Sequence, residues 1–256
     1  MRPGLRDTYM ADSGSFGRRK FLKVCVGTGA AVAANPALIA QPAGELVPAE
    51  RVRLVDARGE TLGLETLSVG QSNVFHYPYV TTPCFLIDLG TPAEPGAELT
   101  TSDGQSYRWS GGVGPGRSIV AFSAICAHRM SYPTRSVSFI DYRHKPMSGA
   151  GSGNDWWDRG QVIYCCSEGS VYDARDGGRV LGGPAPQPLA AVSLEYDAED
   201  KALFATGIYG GDMLESFLSK FGFQVALTHK RDDIWQPATN TARVWSMSEY
   251  SKTGAC

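Results

Sequence analysis

Ser118-Ile119-Val120-Ala121-Phe122-Ser123, running on through Ala124-Ile125 to Cys126-Ala127-His128, and the later stretch Cys165-Cys166-Ser167-Glu168-Gly169-Ser170-Val171-Tyr172-Asp173 decide how this chain is read. The first opens as an apolar run of the buried-strand type and ends on a cysteine and a histidine two positions apart. The second follows a short strand-like run at Gln161–Tyr164 and presents thiols and a carboxylate ahead of a Gly-Ser pair. A turn-rich stretch comes after it: Gly182-Gly183-Pro184-Ala185-Pro186-Gln187-Pro188-Leu189.

This order of parts resembles the Rieske iron–sulfur family. There, one loop supplies Cys-x-His and a second supplies Cys-x-x-His. Two thiolates hold one iron and two imidazoles hold the other. Gly-Ser and an aromatic-Asp pair follow the second loop in that family, and a Gly-Pro-Ala-Pro loop covers the cluster. The flanks are similar to the small Rieske subunit of arsenite oxidase: Phe75-His76-Tyr77-Pro78, Pro83-Cys84-Phe85-Leu86-Ile87-Asp88-Leu89-Gly90, Gly112-Val113-Gly114-Pro115 and Gly207-Ile208-Tyr209-Gly210. The resemblance covers residues 45–210. It implies an all-β fold, a Rieske-type antiparallel β-sandwich with a small cluster-binding subdomain. The cluster loops would be 126–131 and 165–173, with an insertion over 129–164. A C-terminal extension with a short helix, residues 211–256, lies outside the resemblance. The implied cofactor is a [2Fe–2S] cluster, with Cys126 and Cys165 on the inner iron and His128 on the outer one. By the same resemblance Ser170 donates a hydrogen bond to a bridging sulfide, Tyr172 donates to the Cys165 sulfur, and Pro184 to Pro186 shield the cluster from water.

Three departures qualify the transfer. Aligned on Gly169-Ser170, the second-loop histidine position holds Glu168. The two positions that carry a loop-bracing disulfide in many Rieske domains are Ser131 and Ser167, both serine. The 36 residues from 129 to 164 are about twice the family's usual separation. Iron accepts carboxylate oxygen, so Glu168 can complete a site of two thiolates, one imidazole and one carboxylate. Its negative charge stabilises the oxidised cluster and lowers the potential. Three alternatives stay open: His144 reaching in from the insertion, Cys166 as a third thiolate, or a fold that has lost its cluster.

Outward from the loops the pattern stays β. Ser72–Val80 and Cys84–Leu89 read as strands split by Thr81-Thr82-Pro83, Val137–Tyr142 alternates, and Val192–Tyr196 with Ala202–Ala205 reads as a hairpin. Asp212–Phe223 reads as an amphipathic helix with Leu214, Phe217, Leu218 and Phe221 on one face, and a polar tail follows. Cys84 reads as a buried small hydrophobe, His76 as a strand-edge residue and His229 as solvated. Cys256 reads as a free tail thiol, or as one half of a mixed or partner disulfide if the protein is exported. Trp156-Trp157 is either core for the inserted loop or a docking patch.

The N-terminus reads as an address. Arg18-Arg19, Phe21-Leu22, Lys23 and the weakly apolar stretch from Val24 resemble a twin-arginine export signal over residues 1–43. It is either cleaved after export or kept as a single membrane anchor. That route carries folded, often cofactor-loaded proteins to the periplasm. The 30 glycines and 15 prolines of the 256 residues suit a turn-rich β chain. Residues 1–43 carry six basic and two acidic residues, and the remainder 18 basic and 24 acidic. A domain that acidic is a poor nucleic-acid binder. No spacing points to a hydrolase's nucleophile and base. The expectation is an exported electron-transfer subunit, a redox component of an oxidoreductase complex rather than a stand-alone catalyst. Its partners would be a larger oxidoreductase, of the molybdopterin type, and a cytochrome or quinone. The rivals are a clusterless structural or assembly subunit and the iron–sulfur subunit of a quinol–cytochrome c oxidoreductase. Glu168 counts against the last, because quinol oxidation in that family uses an exposed imidazole.

Overall fold

Runs of β-branched and aromatic residues, broken at Gly, Pro and Asp, pair into an eight-stranded sheet, a four-stranded sheet and two two-stranded ribbons among the described residues. The computed structural model describes residues 46–146 and 159–254. Residues 1–43, expected to be an export signal, the loop 147–155, Trp156-Trp157 and Cys256 lie outside the described residues.

The large sheet contains eight strands: β1 (Val47–Val55), β2 (Ser72–His76), β3 (Pro83–Asp88), β6 (Ile119–Ser123), β12 (Ala191–Asp197), β13 (Ala202–Tyr209), β14 (Thr241–Arg243) and β15 (Trp245–Ser246). Their order is β14-β1-β13-β12-β6-β3-β2-β15. β3 and β6 are central and buried along nearly their whole length, so both read as continuous apolar runs rather than alternating ones. Phe85 lies opposite Phe122, and Ile87 opposite Val120. The strand expected over Ser72–Val80 stops at His76, just before Pro78, which has no N–H for a ladder.

The four-stranded sheet is ordered β11-β10-β9-β8, from β8 (Ile140–Arg143), β9 (Val162–Cys165), β10 (Ser170–Asp173) and β11 (Arg179–Gly182). The alternating run Val137–Tyr142 divides at Phe139 into β7 (Val137–Ser138) and β8. β4 (Glu98–Thr100) and β5 (Ser106–Arg108) form a separate hairpin. The expected all-β fold with a C-terminal helix is what the described residues adopt.

That helix, α1, runs Met213–His229, six residues beyond the expected end at Phe223. Its buried face is Met213, Leu214, Phe217, Leu218 and Val225. Gly222 does not break it. A Cβ there would come 2.7 Å from Ile234 Cδ1, so the glycine makes room for the returning chain to pack on the helix. The helix closes at Lys230, whose backbone takes a left-handed conformation (φ 52°).

The segment read as a polar tail instead closes the sheet. β14 pairs in parallel with β1 at one edge, and β15 pairs antiparallel with β2 at the other. Only Val244 separates them, and its N–H donates to Val55 O. Two exposed edges are thereby covered by one short stretch of chain. A short helix, α2 (Met247–Tyr250), follows with a Ser246/Glu249 capping box. β16 (Thr253–Gly254) then pairs in parallel with β7.

Candidate metal centre

Two loops of matched design carry the candidate ligands. β6 leads into the first, where Met130 N–H donates to Cys126 O (2.9 Å) and Met130 sits at φ 60°. β9 leads into the second, where Gly169 N–H donates to Cys165 O (2.8 Å) and Gly169 sits at φ 78°. In each, the backbone turns back onto the cysteine carbonyl four residues on. The turn frees the intervening side chains, His128 in one loop and Glu168 in the other, to project from the tip.

Cys126 and Cys165 come together at the base, both buried and both free thiols. A hydrogen bond from Cys165 holds the Cys126 thiol well below the usual thiol range, and Tyr172, the His128 N–H and Ser170 reinforce it against burial. The same contact with Cys126, with burial added, pushes Cys165 up. The two shifts run in opposite directions, with Cys126 the more acidic of the pair.

The proton order around Tyr172 follows from its partners. Ala127 N–H donates to the Tyr172 oxygen at 3.0 Å. The phenol's own hydrogen is then left for Cys126 Sγ, 3.2 Å away. This corrects the expected partner, Cys165. Strand alternation on β10 turns Ser170 and Tyr172 to the same side, and the chain folds that side over the first loop rather than over its own. Burial, and the nearby Cys126 thiolate after it, push the Tyr172 phenol far up.

At the tip, His128 Nδ1 lies 3.5 Å from Glu168 Oε2, and Arg129 Nη1 lies 2.9 Å from Glu168 Oε1. Glu168 and His128 are about a quarter exposed. His128 Nδ1 and Ser170 Oγ are both buried without a hydrogen bond of regular geometry. Sequence reasoning missed Arg129. Its pairing reaches from one loop to the other, and no local pattern carries that signal.

Among the described residues no group of three or more His, Cys, Asp or Glu side chains converges on a single point. The donors come instead as a thiol pair and an imidazole–carboxylate pair on the same two loops. That division fits a binuclear group taking two ligands per metal, and His128 Nδ1 is buried there without a hydrogen bond of regular geometry.

Neither alternative fourth ligand stands in position. His144 Nδ1 pairs with the Tyr142 hydroxyl at 3.2 Å, beside Gly70. Ile140 is opposite Cys165 and Arg143 opposite Val162, so His144 lies past the far end of β9, about 13 Å along the strand from Cys165. Cys166 is disulfide-bonded, so its sulfur is already taken.

The loop after β11 reaches the second ligand loop through Gly183. A Cβ at that position would fall 2.3 Å from Gly169 O. Pro184 itself is exposed, and Ala185 packs against the core.

His76 and His229 form a second cluster away from this site. His76 Nε2 is 3.0 Å from the Tyr250 hydroxyl, and the two imidazole rings meet edge-on at 5.2 Å. His229, expected to be solvated, is half-buried because α1 continues far enough to press it there. Cys84 is fully buried, as expected of a small hydrophobe.

No protein-family model matches the chain. Among solved structures it is similar to the soluble domain of the Rieske protein II (soxF) from Sulfolobus acidocaldarius. The identity is 26%, over 64% of this chain and 81% of that one, with a TM-score of 0.42.

Proposed function

We propose that this chain is an electron-transfer subunit whose two loops hold a Rieske-type [2Fe–2S] cluster. Cys126 and Cys165 would hold the inner iron through sulfur, and His128 and Glu168 the outer iron through nitrogen and oxygen. The cluster supplies one-electron chemistry when bound. The observation that supports this reading is the split of donors into a thiol pair and an imidazole–carboxylate pair on two loops of the same turn geometry, with His128 Nδ1 3.5 Å from Glu168 Oε2.

The protein's own residues set the rest. Tyr172 donates to the Cys126 sulfur and Ser170 offers a second hydroxyl at the base. Arg129 offsets the charge that Glu168 adds. The quarter-exposed His128 and Glu168 form the face through which electrons enter and leave. The partners are a larger oxidoreductase and a cytochrome or quinone, in the periplasm, reached by the twin-arginine route with or without a retained membrane anchor. Replacing Arg18 and Arg19 with lysine should leave the protein in the cytoplasm.

Protein purified anaerobically should contain about two irons and two acid-labile sulfides, with an electron paramagnetic resonance signal on reduction. Colourless, iron-free protein after reconstitution would sink the reading. A second reading then takes over, a clusterless structural subunit. It draws on the Arg129–Glu168 ion pair, which leaves the carboxylate partnered without a metal.

A further inference from the structure

We propose that a cleft between the first strand and the C-terminal extension binds a small organic cation, an alkylammonium or alkylguanidinium on a short apolar stem. The cleft has a volume of about 230 Å³. That is below the roughly 300–1,000 Å³ of sites for drug-sized ligands, so it suits a smaller molecule. Its walls come from segments far apart in the chain: the start of β1, the turn between β2 and β3, the end of β13, α1 and Pro237.

The lining combines an apolar body with two carboxylates. Val47 stands opposite Ile208 across the β1–β13 pair, and the buried Leu214 of α1 lines the same space. Pro78 and Pro237 form a further wall, fastened where Ala238 N–H donates to Pro78 O at 2.8 Å. Proline has no N–H, so these two positions offer an anion no backbone donor. The charged residues in the lining are Glu50, on β1, and Glu215, on α1, both exposed. Among the described residues neither forms an ion pair.

Tyr79 connects the two parts. Its hydroxyl donates to Glu215 Oε1 at 3.4 Å, and Trp235 meets its ring edge-on at 5.5 Å. An aromatic ring beside a carboxylate favours a cation. Burial, and after it the Glu215 charge, hold the Tyr79 phenol above its ordinary range, so the hydroxyl stays a donor to that carboxylate.

An anion would meet like charges here, and a neutral apolar molecule would gain nothing from Glu50 or Glu215. A cation on an apolar stem uses both parts, its head in charge-assisted hydrogen bonds and its stem out of water. The site exists only where α1 and Pro237 pack on the β-fold, and both lie in the extension 211–256, outside the stretch that resembles the Rieske family. The inference stands whether or not iron is bound.

Nuclear magnetic resonance titration of the full chain with n-butylammonium chloride tests it. Amide shifts should concentrate on Val47, Ala49, Glu50, Tyr79, Ile208, Leu214 and Glu215. Butan-1-ol should bind more weakly, and butyrate should produce no shifts there. Glu50→Gln and Glu215→Gln, both at exposed positions, should each weaken n-butylammonium binding by about 2–5-fold, the scale of an exposed ion pair, with unchanged melting. Added salt should weaken it as well. Butan-1-ol binding as tightly as n-butylammonium, shifts confined to other parts of the molecule, or an unchanged affinity in the double variant would each overturn the proposal. A capped Ala-Arg-Ala peptide binding more tightly than n-butylguanidinium would also overturn it, by giving the cleft to a protein segment rather than to a free cation.

Discussion

Arg129 Nη1 sits 2.9 Å from Glu168 Oε1, so the carboxylate of the second loop is tied to the loop that carries Cys126 and His128. The contact puts a cation against the one residue in which the site departs from two thiolates and two imidazoles.

That arrangement makes Glu168 the residue to change. Glu168→Gln should cost most of the bound iron, because a neutral amide is a poor ligand. Glu168→His should keep the cluster and raise its potential. A charge removed from about 5 Å at an effective dielectric constant of about 20 is worth about 3 kcal/mol, or roughly 0.15 V for one electron. Iron and sulfide analysis with redox titration measures both. An unchanged spectrum and potential in Glu168→Gln would remove Glu168 from the ligand set.

Tyr172→Phe deletes the hydroxyl donated to Cys126 Sγ. With a cluster bound, the potential should fall by tens of millivolts, because a hydrogen bond to sulfur favours the more negative, reduced state. In iron-free protein the Cys126 thiol should move up toward its ordinary pKa, and its alkylation at neutral pH should slow. Equal alkylation rates in variant and parent would show that Tyr172 does not govern this sulfur.

Gly183→Ala tests the approach of the covering loop. The position combines φ +82° with a Cβ that would sit 2.3 Å from Gly169 O. A loss of about 1–3 kcal/mol in urea denaturation is expected. Gly59→Ala is the control, with a similar φ of +87° and nothing within 4 Å. It should cost less. Equal losses at the two sites would mean that backbone strain alone, not contact with the second ligand loop, sets the cost.

Stability should fall on acidification through the second histidine cluster. Burial, followed by the charges of His229, Arg135 and Arg231, lowers the His76 pKa to about 3 from an ordinary 6.5. The folded protein therefore holds His76 neutral where the unfolded chain binds a proton. The contribution is complete above about pH 6.5 and is lost as pH falls toward 3, with a slope of up to about 1.4 kcal/mol per pH unit. Unfolding free energies of parent and His76→Gln between pH 4 and 7 should differ in slope by up to one proton. Identical slopes would show that His76 does not titrate between the two states.

The β character, the strands flanking each loop and the residues at the loop tips were legible locally. Ile119–Ser123 is apolar at every position but its last, and Cys126, His128, Cys165 and Glu168 keep fixed distances from their strands. The start of α1 was legible from Leu214, Phe217 and Leu218. Its end was not, because Gly222 is a helix-weakening residue on propensity and only Ile234 packing against it explains its place.

Short-range facts were written in the residues: alternation, helical spacing, turn residues and the order of donor groups along the chain. Which of those groups meet depended on how the strands come together. Tyr172 turns to Cys126 rather than Cys165, Arg129 reaches Glu168, and His144 is carried to the far end of β9. Residues 241–246 close a sheet whose edges are β1 and β2. Side-chain periodicity within a strand says which face a residue takes, but not which strand lies beside it or in what register. Those depend on pairings between residues far apart in the chain, and such pairings leave no local pattern.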